Sequence, residues 1–321
     1  MRDLLEIASG DDEIVEHADW VEISTLFRHD STISLEDLAR AMHQSGGVTE
    51  DRARQKAEDA FNELADRIRA CGGAKPTSIA AYPFELVKGT NLLRRRLFRN
   101  QKNAGLLYLF LLVITRGDMS TGVRILAGHD PTKIFERLCA TVLSNYWGGE
   151  IGIANAMVMG TAQRGRRSFR LDIQELCENL KEGGGWKPEA RSPGAGDAGL
   201  DVVVWRRFSD ARNGALVGFA QCKTGIHWDR TLGKYDPSKF CTKYMRESLR
   251  IGPIQVFMVP CRINRERWAD RTTDGGLLLD RCRIVEYGNG IPRRVQGECR
   301  AWLKAALRYQ REHVRRRRQP R

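Results

Sequence analysis

Two short segments near the middle of the chain carry residue types suited to chemistry on a phosphodiester. GDAGLDVVVW (Gly196 to Trp205) places Asp201 at the head of an apolar run, and GFAQCKTG (Gly218 to Gly225) ends another apolar run on Gln221, Cys222 and Lys223. The Asp201 carboxylate, the Gln221 amide oxygen and the Cys222 backbone carbonyl are hard oxygen donors, which suit Mg²⁺ or Mn²⁺ better than zinc. A divalent ion there would polarise a phosphoryl oxygen and acidify water. The Lys223 ammonium beside it would orient that water and offset charge developing on phosphorus.

These groups can meet only if two strands pair. Val202 to Trp205 and Ala215 to Cys222 are β-branched and apolar enough for buried strands, and the segment between them, RRFSDARNG (Arg206 to Gly214), is charged and rich in turn formers. A β-hairpin is the expectation. Alternation along the second strand sends Gln221 and Lys223 to one face and Cys222 to the other. Asp201 on the paired strand would then face the two polar groups.

A helix upstream adds a carboxylate. In DPTKIFERLCATVLSNYWGGE (Asp130 to Glu150), Asp130 reads as an N-cap before Pro131, and Ile134, Phe135, Leu138, Val142 and Tyr146 recur at helical spacing. Glu136 lies in the first turns, beside that stripe.

Taken in order, Phe135-Glu136 on a helix, Gly196-Asp197-Ala198-Gly199-Leu200-Asp201 before a strand and Gln221-Cys222-Lys223 at the end of the next strand resemble the PD-(D/E)xK nuclease superfamily, most closely its Mrr-like restriction endonuclease branch. The resemblance covers about residues 130 to 260. It implies an α/β restriction-endonuclease-like core, a mixed central sheet flanked by helices, and catalysis by Glu136, Asp201, Gln221 and Lys223. Asp201 and Gln221 become metal ligands, and Glu136 contacts the metal through water. Asp197 falls on a family position that the resemblance leaves between a second metal ligand and an acid supporting the first. Gln221 departs from the acid of the superfamily pattern and brings one negative charge fewer to the metal.

Charge agrees with a polyphosphate partner. The 321 residues carry a formal net charge of +13, and cationic surfaces gain affinity for nucleic acid by releasing its counterions. Basic runs occur at Leu86 to Asn103, at TAQRGRRSFR (Thr161 to Arg170) and in the terminal REHVRRRRQPR (Arg311 to Arg321). Arg164, Arg166, Arg167 and Arg170, with Trp228 and Arg230 just past Lys223, are the expected nucleic-acid contacts; His227 is not the expected general base.

Two domains are expected, a helical accessory, recognition or partner-binding domain over residues 1–125 and the nuclease domain over 126–321. The N-terminal part is expected to be all-helical. Ser34 and Asp37 form a capping box before Leu35, Leu38 and Met42, and Ala57, Phe61, Leu64 and Ile68 mark a second amphipathic helix. The apolar stretch Leu106 to Ile114 is too short for a membrane span, which needs about 20 residues. No secretory leader is evident, so a bacterial cytoplasmic protein is expected. The eight cysteines show no metal-site spacing; disulfides would be unusual in a reducing compartment, and most of the cysteines are expected to be small apolar core residues. G-x-S-x-G and P-loop patterns are absent from the sequence.

The expected activity is metal-dependent DNA hydrolysis, on duplex DNA foremost, in restriction or anti-phage defence, with a partner protein or activating ligand received by the N-terminal part and homodimerisation for duplex breaks. The competing expectations are a nucleic-acid-binding or assembly protein on an inactive nuclease scaffold, and a nuclease acting on RNA.

Overall fold

The computed structural model describes residues 13–46, 48–71, 78–96, 103–116, 124–148, 154–159, 168–193, 198–210, 212–225 and 227–317. Ten α-helices and eight strands in two sheets form among them.

The chain begins with α1 (Glu13–Phe27), β1 (Thr32–Ser34), α2 (Leu35–Ser45), α3 (Glu50–Cys71), β2 (Phe84–Leu86), β3 (Leu92–Arg95) and α4 (Leu106–Arg116). The capping box forms as the sequence suggested: Ser34 Oγ accepts from the Asp37 N–H at 3.0 Å, and Asp37 Oδ2 accepts from the Ser34 N–H at 3.1 Å. The expectation of an all-helical N-terminal part is corrected, because β1, β3 and β2 build a three-stranded antiparallel sheet in that order. Its strands hold only three or four residues each, too few to show a two-residue period. Cross-strand pairs stabilise it instead, Ile33 facing Leu93 and Glu85 accepting from Arg94 Nη2 at 2.7 Å. Leu106 to Val113 of α4 are all buried, and no helix among the described residues is long and apolar enough to cross a membrane.

Next come α5 (Pro131–Gly148), β4 (Ala154–Val158), α6 (Phe169–Leu180), β5 (Val202–Arg206), β6 (Leu216–Cys222), α7 (Pro237–Tyr244), β7 (Ile254–Met258), α8 (Trp268–Gly275), β8 (Leu277–Leu279), α9 (Arg281–Glu286) and α10 (Arg293–Arg317). Five strands form one mixed sheet in the order β4-β5-β6-β7-β8, antiparallel through β6 and parallel beyond it. The expected hairpin is β5 with β6, and Val202 pairs with Ala220. Alternation divides the core. Val202, Val204, Ala220 and Cys222 pack with Ile134, Leu138 and Val142 of α5, whereas Val203, Trp205, Val217 and Phe219 pack with Ile173 of α6 and Phe240 of α7. The sheet is therefore covered by helices on both faces. Asp130 caps α5 as expected, accepting from the Thr132 N–H at 2.9 Å, but Tyr146 leaves the buried stripe and Trp147 takes its place.

The division expected at residues 125 and 126 does not divide the core. Val21, Leu64 and Phe110 belong to the same apolar cluster as Leu138, Cys222 and Trp302, and the Phe110 and Trp302 rings meet edge to face at 5.3 Å. A disulfide between Cys71 of α3 and Cys282 of α9 also joins the two halves, which corrects the expectation against disulfides. Its partners stand 211 residues apart, so no local spacing announced it. The other six cysteines are free and buried, as expected.

A buried ionic network fastens the halves further. Asp19, Glu22, Arg67 and Arg281 are all fully buried. Arg281 donates to both Asp19 oxygens, at 2.7 and 3.0 Å, and to the Pro260 carbonyl at 2.9 Å. Arg67 donates to Asp19 at 2.6 Å, Glu22 at 2.8 Å, Glu63 at 2.9 Å and the Val15 carbonyl at 3.0 Å. The hydroxyls of Tyr82 and Tyr108 donate to Glu22 at 2.5 and 2.7 Å. Burial would raise the Asp19 pKa, but Arg281 and Arg67 hold it far below the usual carboxylate range. For Glu22, burial outweighs Arg67 and the pKa is raised.

Removing one partner leaves a buried charge without compensation. Arg281→Met is expected to lower the unfolding free energy by about 3–5 kcal/mol, read from denaturant unfolding; a loss within experimental error would show that the network contributes little. His17 is buried, and burial lowers its pKa to about 4. Its folded value lies below the unfolded one, so its contribution is fully present above pH 6.5 and is lost as pH falls toward 4. Melting curves should show this acid-side loss, about 2 kcal/mol after allowance for solvent screening, diminished in His17→Gln.

Candidate functional site

Because β5 runs antiparallel to β6, and β7 and β8 run parallel to it, the start of β5 and the ends of the other three share one edge of the sheet. The expected hairpin residues meet there. The Asp201 N–H donates to the Ala220 carbonyl at 3.0 Å, and its carbonyl accepts from the Met159 N–H at 2.8 Å. Asp201 Oδ2 accepts from the Cys222 N–H at 2.7 Å and from Lys223 Nζ at 3.2 Å. The Lys223 N–H is bonded in turn to the Met258 carbonyl at 3.0 Å, which fixes the end of β6 against β7. Asp201 is only 6% exposed, while the Lys223 side chain is 29% exposed. The ion pair thus stands at the boundary between core and solvent, open on the lysine side.

Gln221 is 7% exposed, and its Oε1 is buried with no hydrogen-bond partner among the described residues. An unsatisfied buried oxygen costs about 1–3 kcal/mol, a cost that a bound water or ligand would offset. Gly199 makes room for this amide. Its φ of +86° suits glycine, and a Cβ there would stand 3.2 Å from Gln221 Nε2 and 3.6 Å from the Tyr235 ring. The glycine of the Gly-Leu-Asp motif therefore has a local structural cause.

Cys222 turns to the opposite face, as alternation requires, and lies in the same apolar cluster as Cys139 of α5. Burial drives both thiols up, and the charges of Asp201 and Glu136 add to the rise. Both carboxylates consequently lie within electrostatic reach of the Cys222 position, Glu136 one turn before Cys139 on the helix. Asp201, Gln221 and Lys223 are brought together on the hairpin, and Glu136 stands on the helix packed against it; Asp197 lies outside the described residues.

A hard divalent cation fits this donor set. Asp201 offers a carboxylate, Gln221 a buried oxygen in want of a partner, and Cys222 a backbone carbonyl. The set is poor in charge: no group of three or more His, Cys, Asp or Glu side chains poised for a metal occurs among the described residues.

Residues of the N-terminal half also reach this edge. Thr224 and Gly225, directly after Lys223, border a small cleft together with Glu16 of α1, Arg116 of α4 and Arg262 beyond β7. Only the sheet order and the ionic network bring these residues to the edge, so no spacing in the sequence signals them.

Of the expected nucleic-acid contacts, Arg164, Arg166 and Arg167 lie outside the described residues. Arg170 is exposed on the first turn of α6, and Arg230 is exposed in a 3-10 turn past Lys223. Trp228 is 8% exposed and packs on Phe257 with ring centroids 6.1 Å apart, Arg271 lies over it at 5.7 Å, and it also lines the small cleft beside Thr224 and Gly225.

Replacing Gln221 by the similarly sized methionine removes the unsatisfied oxygen and should raise stability by about 1 kcal/mol while abolishing thermal stabilisation by Mg²⁺ or Mn²⁺. A variant less stable than the parent would mean that the amide is held by the fold itself. Comparison of the chain with protein-family models, curated proteins and solved structures finds no match.

Proposed function

We propose that this protein is a metal-dependent endonuclease that hydrolyses DNA phosphodiesters, on a restriction-endonuclease-like core resembling the Mrr-like branch of the PD-(D/E)xK superfamily. The observation that carries the proposal is the Asp201–Lys223 ion pair, made across the hairpin beside a buried Gln221 oxygen with no partner. The two features at one strand end support the reading together.

Asp201, Gln221 and the Cys222 carbonyl would hold Mg²⁺ or Mn²⁺, with Glu136 reaching it through water. When bound, such an ion supplies electrophilic activation of the phosphate and lowers the pKa of water. The Cys222 N–H keeps the Asp201 carboxylate from swinging away, so the charge is positioned before substrate arrives. Lys223 orients the attacking water and offsets negative charge as it builds on the phosphoryl oxygens. The water oxygen forms a bond to phosphorus in line with the departing 3′ oxygen, which takes a proton and leaves a 3′-hydroxyl and a 5′-phosphate. The chain contributes placement and electrostatics rather than a covalent intermediate.

The charge of +13 supports a polyphosphate substrate. Bacterial restriction or anti-phage defence in the cytoplasm is the proposed setting, with a partner protein or activating ligand received through the N-terminal helices and a homodimer making duplex breaks.

Purified protein incubated with duplex DNA, single-stranded DNA and RNA in Mg²⁺, in Mn²⁺ and in EDTA tests the proposal. Expected are metal-dependent cleavage of DNA and a loss of about 10²-fold or more in Lys223→Ala and Asp201→Asn with binding retained. Cleavage confined to RNA would change the substrate class. Full activity in EDTA or in Lys223→Ala, or no cleavage of any polymer, would overturn the mechanism.

A further inference from the structure

A second and larger cleft, about 500 Å³ in volume, is lined by Arg69 and Asp66 of α3, by Arg262, Arg265 and Trp268 beyond β7, and by Arg283 of α9. Four guanidinium groups face one carboxylate there. Their attachments differ. Arg262 is held by Asp280 at 2.6 Å and Glu63 at 3.3 Å, and Arg69 pairs with Asp66 at the surface. Arg283 donates to the Leu278 carbonyl at 2.9 Å and stacks over the Trp268 ring at 4.2 Å, so its remaining N–H donors are held in place. Arg265 is exposed and has no ion pair among the described residues. Trp268 is partly buried against the third apolar cluster, which makes it the platform for Arg283 rather than a plate for a base.

Arg262 lines this cleft and also the small one that holds Thr224 and Gly225. Arg262 and Arg283 both follow strands whose C-terminal ends lie at the edge that carries Lys223. A polyanion leaving the catalytic edge past Gly225 would meet Arg262, which lines both clefts, and beyond it the other arginines of the larger one. We propose that this arginine cleft binds the sugar-phosphate backbone of a nucleic-acid strand running away from the scissile bond. The N-terminal half thereby contributes directly to substrate binding through Arg69. The inference rests on the nuclease reading for the identity of the polymer, and binding is measured apart from cleavage.

The test uses the full chain, a short labelled DNA duplex and fluorescence anisotropy in EDTA over a range of salt. Arg265→Glu/Arg283→Glu is compared with Arg212→Glu/Arg250→Glu, a charge-matched control whose exposed residues precede β6 and β7 at the opposite sheet edge. Expected are an affinity loss of about tenfold or more in the first pair only and a salt slope shallower by about two units. Arg265→Glu alone, at a site free of ion pairs, should show part of the loss with the melting temperature unchanged. Equal losses in both pairs would reduce the effect to net charge and overturn the cleft. Binding of a mononucleotide or inorganic phosphate that is lost in Arg265→Glu, with no binding of DNA or RNA, would overturn the strand proposal in favour of a free phosphate ligand. Selective loss of binding without metal-dependent cleavage by the parent would leave the cleft standing and sink the nuclease; undiminished binding and cleavage in Arg265→Glu/Arg283→Glu would do the reverse.

Discussion

The contact on which the rest of this structure depends is the fork of Arg281 on Asp19. Both side chains are fully buried, and desolvating them costs several kcal/mol per ion unless their geometry satisfies them. Asp19 meets that condition with both oxygens bonded to Arg281 and further donors from Arg67 and Arg116. Such a network adds little net stability over apolar packing. It penalises any arrangement in which α1, α3 and α9 shift relative to one another, because each shift strands a charge away from water. The Cys71–Cys282 disulfide adds a covalent tie between two of those helices, one residue beyond Arg281.

This constraint positions the candidate site. Arg281 also bonds the Pro260 carbonyl and so holds the turn that leaves β7, and that turn carries Arg262 between the two clefts. Glu16 and Arg116 pair with each other at 3.0 Å and stand beside Thr224 and Gly225. The N-terminal half is thus a wall of the sheet edge that carries Lys223, fastened by charge and by an apolar cluster that runs through both halves.

At the site the fold accepts local costs that packing alone would avoid. Gly199 takes a left-handed conformation, Gln221 buries an oxygen with no partner among the described residues, and Lys223 is kept beside a mostly buried carboxylate. Consistency between local preference and global packing is the rule in proteins, and departures from it concentrate at functional positions. Cys139 and Cys222, by contrast, pack into the opposite face as two thiols whose pKa is raised by burial and further by the neighbouring acids Asp201 and Glu136.

Residue pattern alone specifies the local elements. The β5–β6 hairpin, the opposite facing of Gln221 and Cys222, the caps at Ser34 and Asp130 and the burial of α4 all follow from patterns a few residues long, where alternation, helical spacing and side-chain capping act directly. Short elements escaped: β1 to β3 and β8 have too few residues to display a period, and β4 mixes polar and apolar side chains at the sheet edge. Long-range packing alone sets that Asp19 and Arg281 meet across 262 residues, that Cys71 reaches Cys282 across 211, that Arg116 borders Thr224 and Gly225, and that Arg69 shares a cleft with Arg262. Such pairings depend on strand order and on the direction in which helices pack, and neither leaves a trace in the spacing of neighbouring residues.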